Sequence, residues 1–121
     1  MAVGLSTTAA NSLLDSLGSS YTWIKLHVGD PGGSASSNAA GNTTRQQATW
    51  GSASGAVKSN TNAITWTGVS TSEDYTHFSA WSASTAGTFG FSGTITANAV
   101  TSGDNFTIAI GDLDVSLAVA S

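Results

Sequence analysis

Two histidines, one nearby serine and a scatter of carboxylates are the residues of this chain whose types invite chemistry. His77 and Ser79 lie two apart, with Asp74 just upstream, and these are the residue types of a nucleophilic triad. The spacing argues against one. In an extended strand, residues i and i+2 point to the same face about 7 Å apart, beyond hydrogen-bond reach. Neither Ser79 nor His77 sits in a G-x-S-x-G elbow, and serine is abundant enough that a chance Ser–His–Asp set is easily drawn. His77 reads more simply as a strand residue stacking with Tyr75 and Trp81.

The carboxylates are no better organised. Asp104, Asp112 and Asp114 could offer oxygens to Ca²⁺, but the twelve-residue EF-hand pattern is missing, and Asp112 after Gly111 reads as a turn residue. Glu73 and Asp74 are sequence neighbours in a turn, not a pair placed across a glycosidic bond. Asn42-Thr43-Thr44 and Asn105-Phe106-Thr107 match the glycosylation triplet, which matters only behind a secretory signal. Gly29-Asp30-Pro31-Gly32-Gly33 lacks the Lys-Ser/Thr ending of a phosphate loop. No catalytic residue, cofactor or metal ligand is assigned.

Composition points the same way. The 121 residues fit one domain. Ser, Thr, Ala and Gly exceed half of the chain, and charged residues are only 8%. Four Trp, four Phe and many β-branched residues distinguish it from a disordered chain. Three cations, Lys25, Arg45 and Lys58, against a net charge of −4 cannot form the basic stripe that nucleic acid or anionic lipid requires. With no cysteine, stability must come from packing or from partners. Residues 1–20 show no basic n-region followed by an apolar run, so no secretory signal is read there, and no run of about 18 apolar residues spans a membrane.

The apolar pattern predicts one helix over 6–17. Ala10, Leu13, Leu14 and Leu17 form an apolar stripe, with Ser6 or Thr7 at the start, Gly18 as the stop and Asp15 outside. That helix either packs on its own sheet or serves as an arm for a neighbouring subunit. The period then changes to two. In Tyr21–Val28, Thr22, Ile24, Leu26 and Val28 share one face; Tyr21, Trp23, Lys25 and His27 share the other. A Gly29–Gly32 turn follows, then a polar loop over 32–44, of the kind usually functional or ordered by a partner.

Further short strands are predicted at 45–50, 56–59, 64–67, 75–81, 88–91, 93–97, 105–110 and 113–119. In 75–81, Tyr75, His77, Ser79 and Trp81 line one face and Thr76, Phe78 and Ala80 the other, so this strand should be central. Phe106, Ile108 and Ile110 should share a face, as should Leu113, Val115, Leu117 and Val119. Most of Trp50, Trp66, Phe78 and Trp81 should be core. The expected fold is mainly β: a β-sandwich or jelly-roll-like domain over 21–121 with one short N-terminal α-helix in a 1–20 segment.

A surface rich in Ser and Thr and poor in Lys and Glu suggests one partly covered by neighbours. Trp23 is the aromatic best placed for an interface, where Trp is enriched. It shares its face with Lys25 and His27, next to Tyr21. Asp30, Pro31 and Arg45 flank that face, and Leu13 and Leu17 belong to the helix. These nine are the candidate contact residues. A glycan-binding module stacking sugars on Trp23 and Tyr21 is the alternative of another class.

Lys25-Leu26-His27-Val28-Gly29-Asp30-Pro31-Gly32, then Asn38-Ala39-Ala40, Arg45 and Thr49-Trp50, resemble a family of small virion proteins of actinobacterial tailed phages. Tyr75–Trp81, Gly87–Gly93 and Gly103-Asp104 extend the resemblance over nearly the whole chain. It implies a non-enzymatic structural protein of the virion, contacting the major capsid protein or tail proteins. The expectation leans to a capsid decoration protein, with a minor tail protein second. A compact domain suits a repeated copy in a homo-oligomer, a trimer favoured, with no nucleic acid and no membrane as partner.

Overall fold

The structure, a computed structural model, describes residues 4–120, the side chains of residues 97 and 98 excepted. Residues 1–3 of the expected helical segment and residue 121 lie outside the described residues.

The helix α1 runs Thr7–Ser20. Ser6 is extended at its N-cap, and its hydroxyl accepts from the Ala9 amide at 3.1 Å, meeting one of the donors a helix start leaves open. Ala10, Leu14 and Gly18 are the buried positions, a stripe with i, i+4, i+8 spacing. The expected stripe is therefore rotated: Leu13 is 49% exposed. Gly18 does not stop the helix but lies inside it. A Cβ there would stand 2.2 Å from Lys58 Cε, so glycine is what lets the helix settle over that side chain.

Four strands form one antiparallel sheet in the order β2-β1-β5-β6: β1 Trp23–His27, β2 Gln46–Gln47, β5 Glu73–Trp81 and β6 Phe89–Val100. As its two apolar faces predict, β5 is central. Ile24 pairs with Ala80 and Leu26 with Phe78; Phe78 in turn pairs with Gly93 and Ala80 with Phe91. These residues make the inner face. Two small antiparallel pairs complete the structure: β3 Val57–Ser59 with β8 Asp114–Ser116, and β4 Ile64–Trp66 with β7 Phe106–Ile108. The β4–β7 pair contributes Ile64, Trp66, Phe106 and Ile108 to the same buried cluster as Ile24, Leu26 and Phe78. Aromatic contacts join the layers, with Tyr75 4.9 Å and Trp66 5.8 Å from Phe106. The protein is thus mainly β, sandwich-like, with one short N-terminal helix.

Several alternations expected from the sequence do not survive packing. Tyr75 is fully buried with Phe78, while His77, expected on the same face as Tyr75, is only half-buried; the β5–β6 pairing is irregular between these two residues, with extra residues on β6. Ile110 is 66% exposed, since β7 stops at Ile108 and the chain turns back, with the Asp112 amide bonded to Ala109 O. Segments 88–91 and 93–97 merge into the single strand β6. Trp50 and Trp81 stay only half-buried, whereas Trp66 and Phe78 are core.

Candidate interaction surface

As the strand spacing implies, Ser79 does not meet His77; among the described residues its hydroxyl contacts a different imidazole, that of His27. His77 bonds its neighbour Thr76, Nδ1 to Oγ1 at 2.8 Å. Ser79 instead meets His27 across β1 and β5: Ser79 Oγ lies 2.8 Å from His27 Nε2, and His27 Nδ1 lies 3.0 Å from Ser37 O. A carbonyl can only accept, so Nδ1 carries the proton and Nε2 accepts from the Ser79 hydroxyl. Trp81 Nε1 donates to that hydroxyl at 2.8 Å. The chain Trp81→Ser79→His27→Ser37 is therefore saturated in one direction. His27 and Ser79 are fully buried, and burial holds the imidazole below its ordinary pKa, opposed by its bonds to the loop backbone. With its proton and lone pair committed and no exposed surface, Ser79 is no nucleophile. His27, expected on an interface face, is buried because the 28–40 loop folds over it.

That loop is ordered by its own bonds. The Asp30 carboxylate accepts from the Gly32 amide at 2.9 Å, and Asn38 Nδ2 donates to Asp30 O at 2.9 Å. The Val28 amide bonds Asn38 O and the Ala40 amide bonds Leu26 O, bringing Ala39 beside His27 as an isolated bridge. Pro31 and Ala40 are buried. Beyond it, both Glu73 oxygens accept from the Gly41 and Asn42 amides at 2.8 and 3.2 Å. The residues of the Leu26–Gly32 and Asn38–Ala40 blocks thus cooperate in closing one loop, and Asp30 and Pro31 act within it. Near Glu73 and Asn42, the Tyr75 hydroxyl is buried with no hydrogen bond of regular geometry; burial first, then the Glu73 charge, push its pKa up to about 12.

What remains open on the outer sheet face is aromatic and cationic. Trp23 pairs directly with Trp81, and Lys25 with Ser79. Trp81 lies 5.7 Å from Phe89, ring centre to ring centre. The Arg45 guanidinium stacks 4.2 Å over Trp81, a favourable cation–π geometry, while its Nη1 donates to Ala83 O at 2.9 Å and Ala86 O at 2.7 Å. Arg45 therefore closes the turn between β5 and β6 as well as covering one ring face. Trp23, Lys25, Arg45, Trp81 and Phe89 are all half-buried. Lys58, the third cation, is elsewhere: it is 7% exposed, pairs with Asp15 at 2.7 Å and also bonds Gly51 O. Asp15, expected to face outward, accepts from the Ala53 amide too, and its bonds to Lys58 and Ala53 lower its pKa.

The helix offers a second surface. Leu13, Leu17 and Tyr21 line an apolar groove of about 390 Å³ with Leu117. A larger polar cleft of about 490 Å³ lies on another side of α1, between Asp15, Ser19, Gln47, Thr49, Trp50 and Lys58. Sequence reasoning had no signal for the Lys58 anchor, the His27–Ser79 pair or Arg45's role, because each joins residues from distant segments. Of the nine candidate residues, the structure brings Trp23, Lys25 and Arg45 together on the sheet face and Leu13, Leu17 and Tyr21 along the groove beside the helix, and it places Asp30 and Pro31 in the loop that covers His27. No group of three or more potential metal ligands occurs among the described residues, and no helix among them is long and apolar enough to cross a membrane.

No curated protein matches this chain. A family model described as podophage GP4 fiber I protein gp80 matches residues 4–116, which takes in α1, the eight strands, the His27 loop, the outer sheet face and, Leu117 excepted, the groove. The chain belongs to this phage fibre protein family, a structural family that places it in the virion in association with other virion proteins.

Proposed function

We propose that this protein is a tail-fibre component that docks on neighbouring virion proteins through its outer sheet face, with Trp23, Lys25, Arg45, Trp81 and Phe89 at the centre. One observation carries this reading: three large aromatic rings and both cations outside the Lys58–Asp15 pair share one half-open face of a chain that has 8% charged residues. Aromatic and arginine side chains are the usual anchors of protein interfaces. The fibre description of the family favours the tail over the capsid decoration role to which the sequence leaned, and the likeness to minor tail proteins of actinobacterial phages supports the same choice. The helical segment 1–20, set against the β-domain 21–121, supplies Leu13 and Leu17 as lateral contacts between copies in a homo-oligomer, a trimer in the sequence reading.

Imaging of intact virions tests the location: density for the domain at the tail is expected, and density confined to the capsid shell would sink the fibre assignment. Capture of tail proteins by the purified chain tests the face. Trp23→Ala and Lys25→Glu should each cut capture about tenfold or more while leaving the thermal melt near that of the parent, in line with loss of an interface anchor. Undiminished capture by both variants would exclude this face.

A further inference from the structure

We infer that the polar cleft at the C-terminal end of α1 binds a neutral saccharide unit, which stacks on Trp50 and hydrogen-bonds around the Asp15–Lys58 pair. The cleft measures about 490 Å³, a volume in the range of small-molecule sites and room for about one or two pyranose rings. The ion pair that lines it is costly to build. Lys58 is 6% exposed, and a buried cation gives up most of its hydration. Gly18 stands inside the helix where a Cβ would strike the Lys58 side chain, although glycine weakens a helix relative to alanine. As a staple between α1 and β3 alone, well-packed apolar side chains would serve as well or better. What the pair adds is a charged donor and a charged acceptor side by side in the cleft. Lys58 Nζ donates to Asp15 Oδ1 at 2.7 Å and to Gly51 O, which leaves one of its N–H bonds over. Asp15 Oδ1 also takes the Ala53 amide, while Oδ2 of this half-exposed carboxylate has no partner among the described residues.

The remaining groups select the ligand. Gln47 commits its Nε2 to Thr22 and keeps its Oε1. Helix α1 ends here with no basic residue in its last turn and with the Gly18 and Ser19 carbonyls unbonded among the described residues, as helix ends leave them. Acceptors therefore outnumber donors, and the exposed Thr49 and Ser52 hydroxyls serve as either. A ligand rich in O–H groups fits that balance. An anion would face Asp15 and open carbonyls with the one cation already paired; a cation would find the carboxylate already neutralised by Lys58. Trp50 supplies the apolar wall. Its indole N–H donates to Tyr21 O at 3.1 Å and its ring leans on Phe91, 5.8 Å between centres, so the half-buried ring is held in place and offers its open part to the C–H face of a sugar. Sugar recognition is thereby placed away from Trp23 and the outer sheet face.

Nuclear magnetic resonance titration of the isotope-labelled full chain tests this, with glucose, galactose, mannose and N-acetylglucosamine as probes, sodium phosphate as the anionic comparison and putrescine as the cationic one. At least one of the sugars should shift the Trp50 indole N–H and the Gly51 and Ser52 amides saturably, with a Kd of about 0.1–10 mM. Gln47→Ala and Thr49→Val should each weaken that sugar about fivefold, the worth of one hydrogen bond, with the thermal melt near that of the parent. Trp23→Ala should leave sugar binding unchanged. The inference is overturned by any of four results: no sugar gives a saturable shift; phosphate or putrescine shifts these signals at lower concentration than every sugar; the shifts fall on Trp23 and Lys25 instead; or both cleft variants bind as the parent does. The titration itself needs no substitution, so it decides the matter even where a variant fails to fold. Capture of virion proteins by the outer face is measured separately, so either reading can fail alone.

Discussion

At the residue scale the most consequential group is the imidazole of His27. Its Nδ1 proton holds Ser37 O, its Nε2 accepts from Ser79, and Trp81 closes the chain. Ser79→Ala leaves the part-buried Trp81 N–H and the buried His27 Nε2 without this partner. It should lower unfolding free energy by about 1–3 kcal/mol, read from urea denaturation. The pH dependence follows with a definite sign. Burial keeps the folded His27 pKa below its ordinary 6.5. Below that value the unfolded chain binds a proton that the folded chain refuses, so stability falls as pH drops from 6.5 toward the depressed folded pKa. The stabilisation is fully present above 6.5. Melting temperature should therefore decline on acidification through this window, and a variant with His27→Gln should show a shallower decline. An equal slope in both proteins would assign the effect to other groups.

At the element scale, close approach rather than propensity decides where pieces sit. Helix α1 is pinned from the side: Asp15 and Asn11 accept from the Ala53 and Ala56 amides, and Lys58 passes beneath Gly18. β6 is pinned by Tyr21, whose ring rests on Gly90 and meets Phe91 edge-on with centroids 6.3 Å apart. Gly90→Ala puts a methyl group into that ring. The substitution should cost about 1–3 kcal/mol, as overpacking does, and near-ultraviolet circular dichroism should report the displaced tyrosine. An undiminished denaturation midpoint would mean that Tyr21 swings away freely.

At the scale of the whole molecule, one core joins all the layers. Trp66 from β4, Phe106 from β7 and Tyr75 from β5 are in ring contact, and the Trp66 indole N–H bonds Thr44 O at 2.8 Å, tying the loop after Ala40 to the same centre. Trp66→Ala should remove about 3–5 kcal/mol, a large share of the stability of a small domain. Because helix, small pairs and main sheet share this core or clamp onto it, far-ultraviolet circular dichroism and tryptophan fluorescence should report one coincident unfolding transition. Two separated transitions would show that the helical segment and the β-domain melt independently.

The local features were legible in the sequence because they depend on neighbours along the chain. The Ser6 cap, the period-two face of Ile24 and Leu26, the turn after Val28, the central position of 75–81 and the mainly β class all follow from spacing and turn chemistry. What the tertiary structure decided depends on groups that only folding brings together. Ser79 meets His27 from 52 positions away and Lys58 meets Asp15 from 43. Tyr75 is buried against Phe106, 31 positions further on. Periodicity states which residues share a face; it does not state which distant backbone will cover that face. For this reason His27 was legible as a strand residue, while its burial, and the exposure left to Trp23, Lys25 and Arg45, were settled by where the 28–40 loop comes to rest.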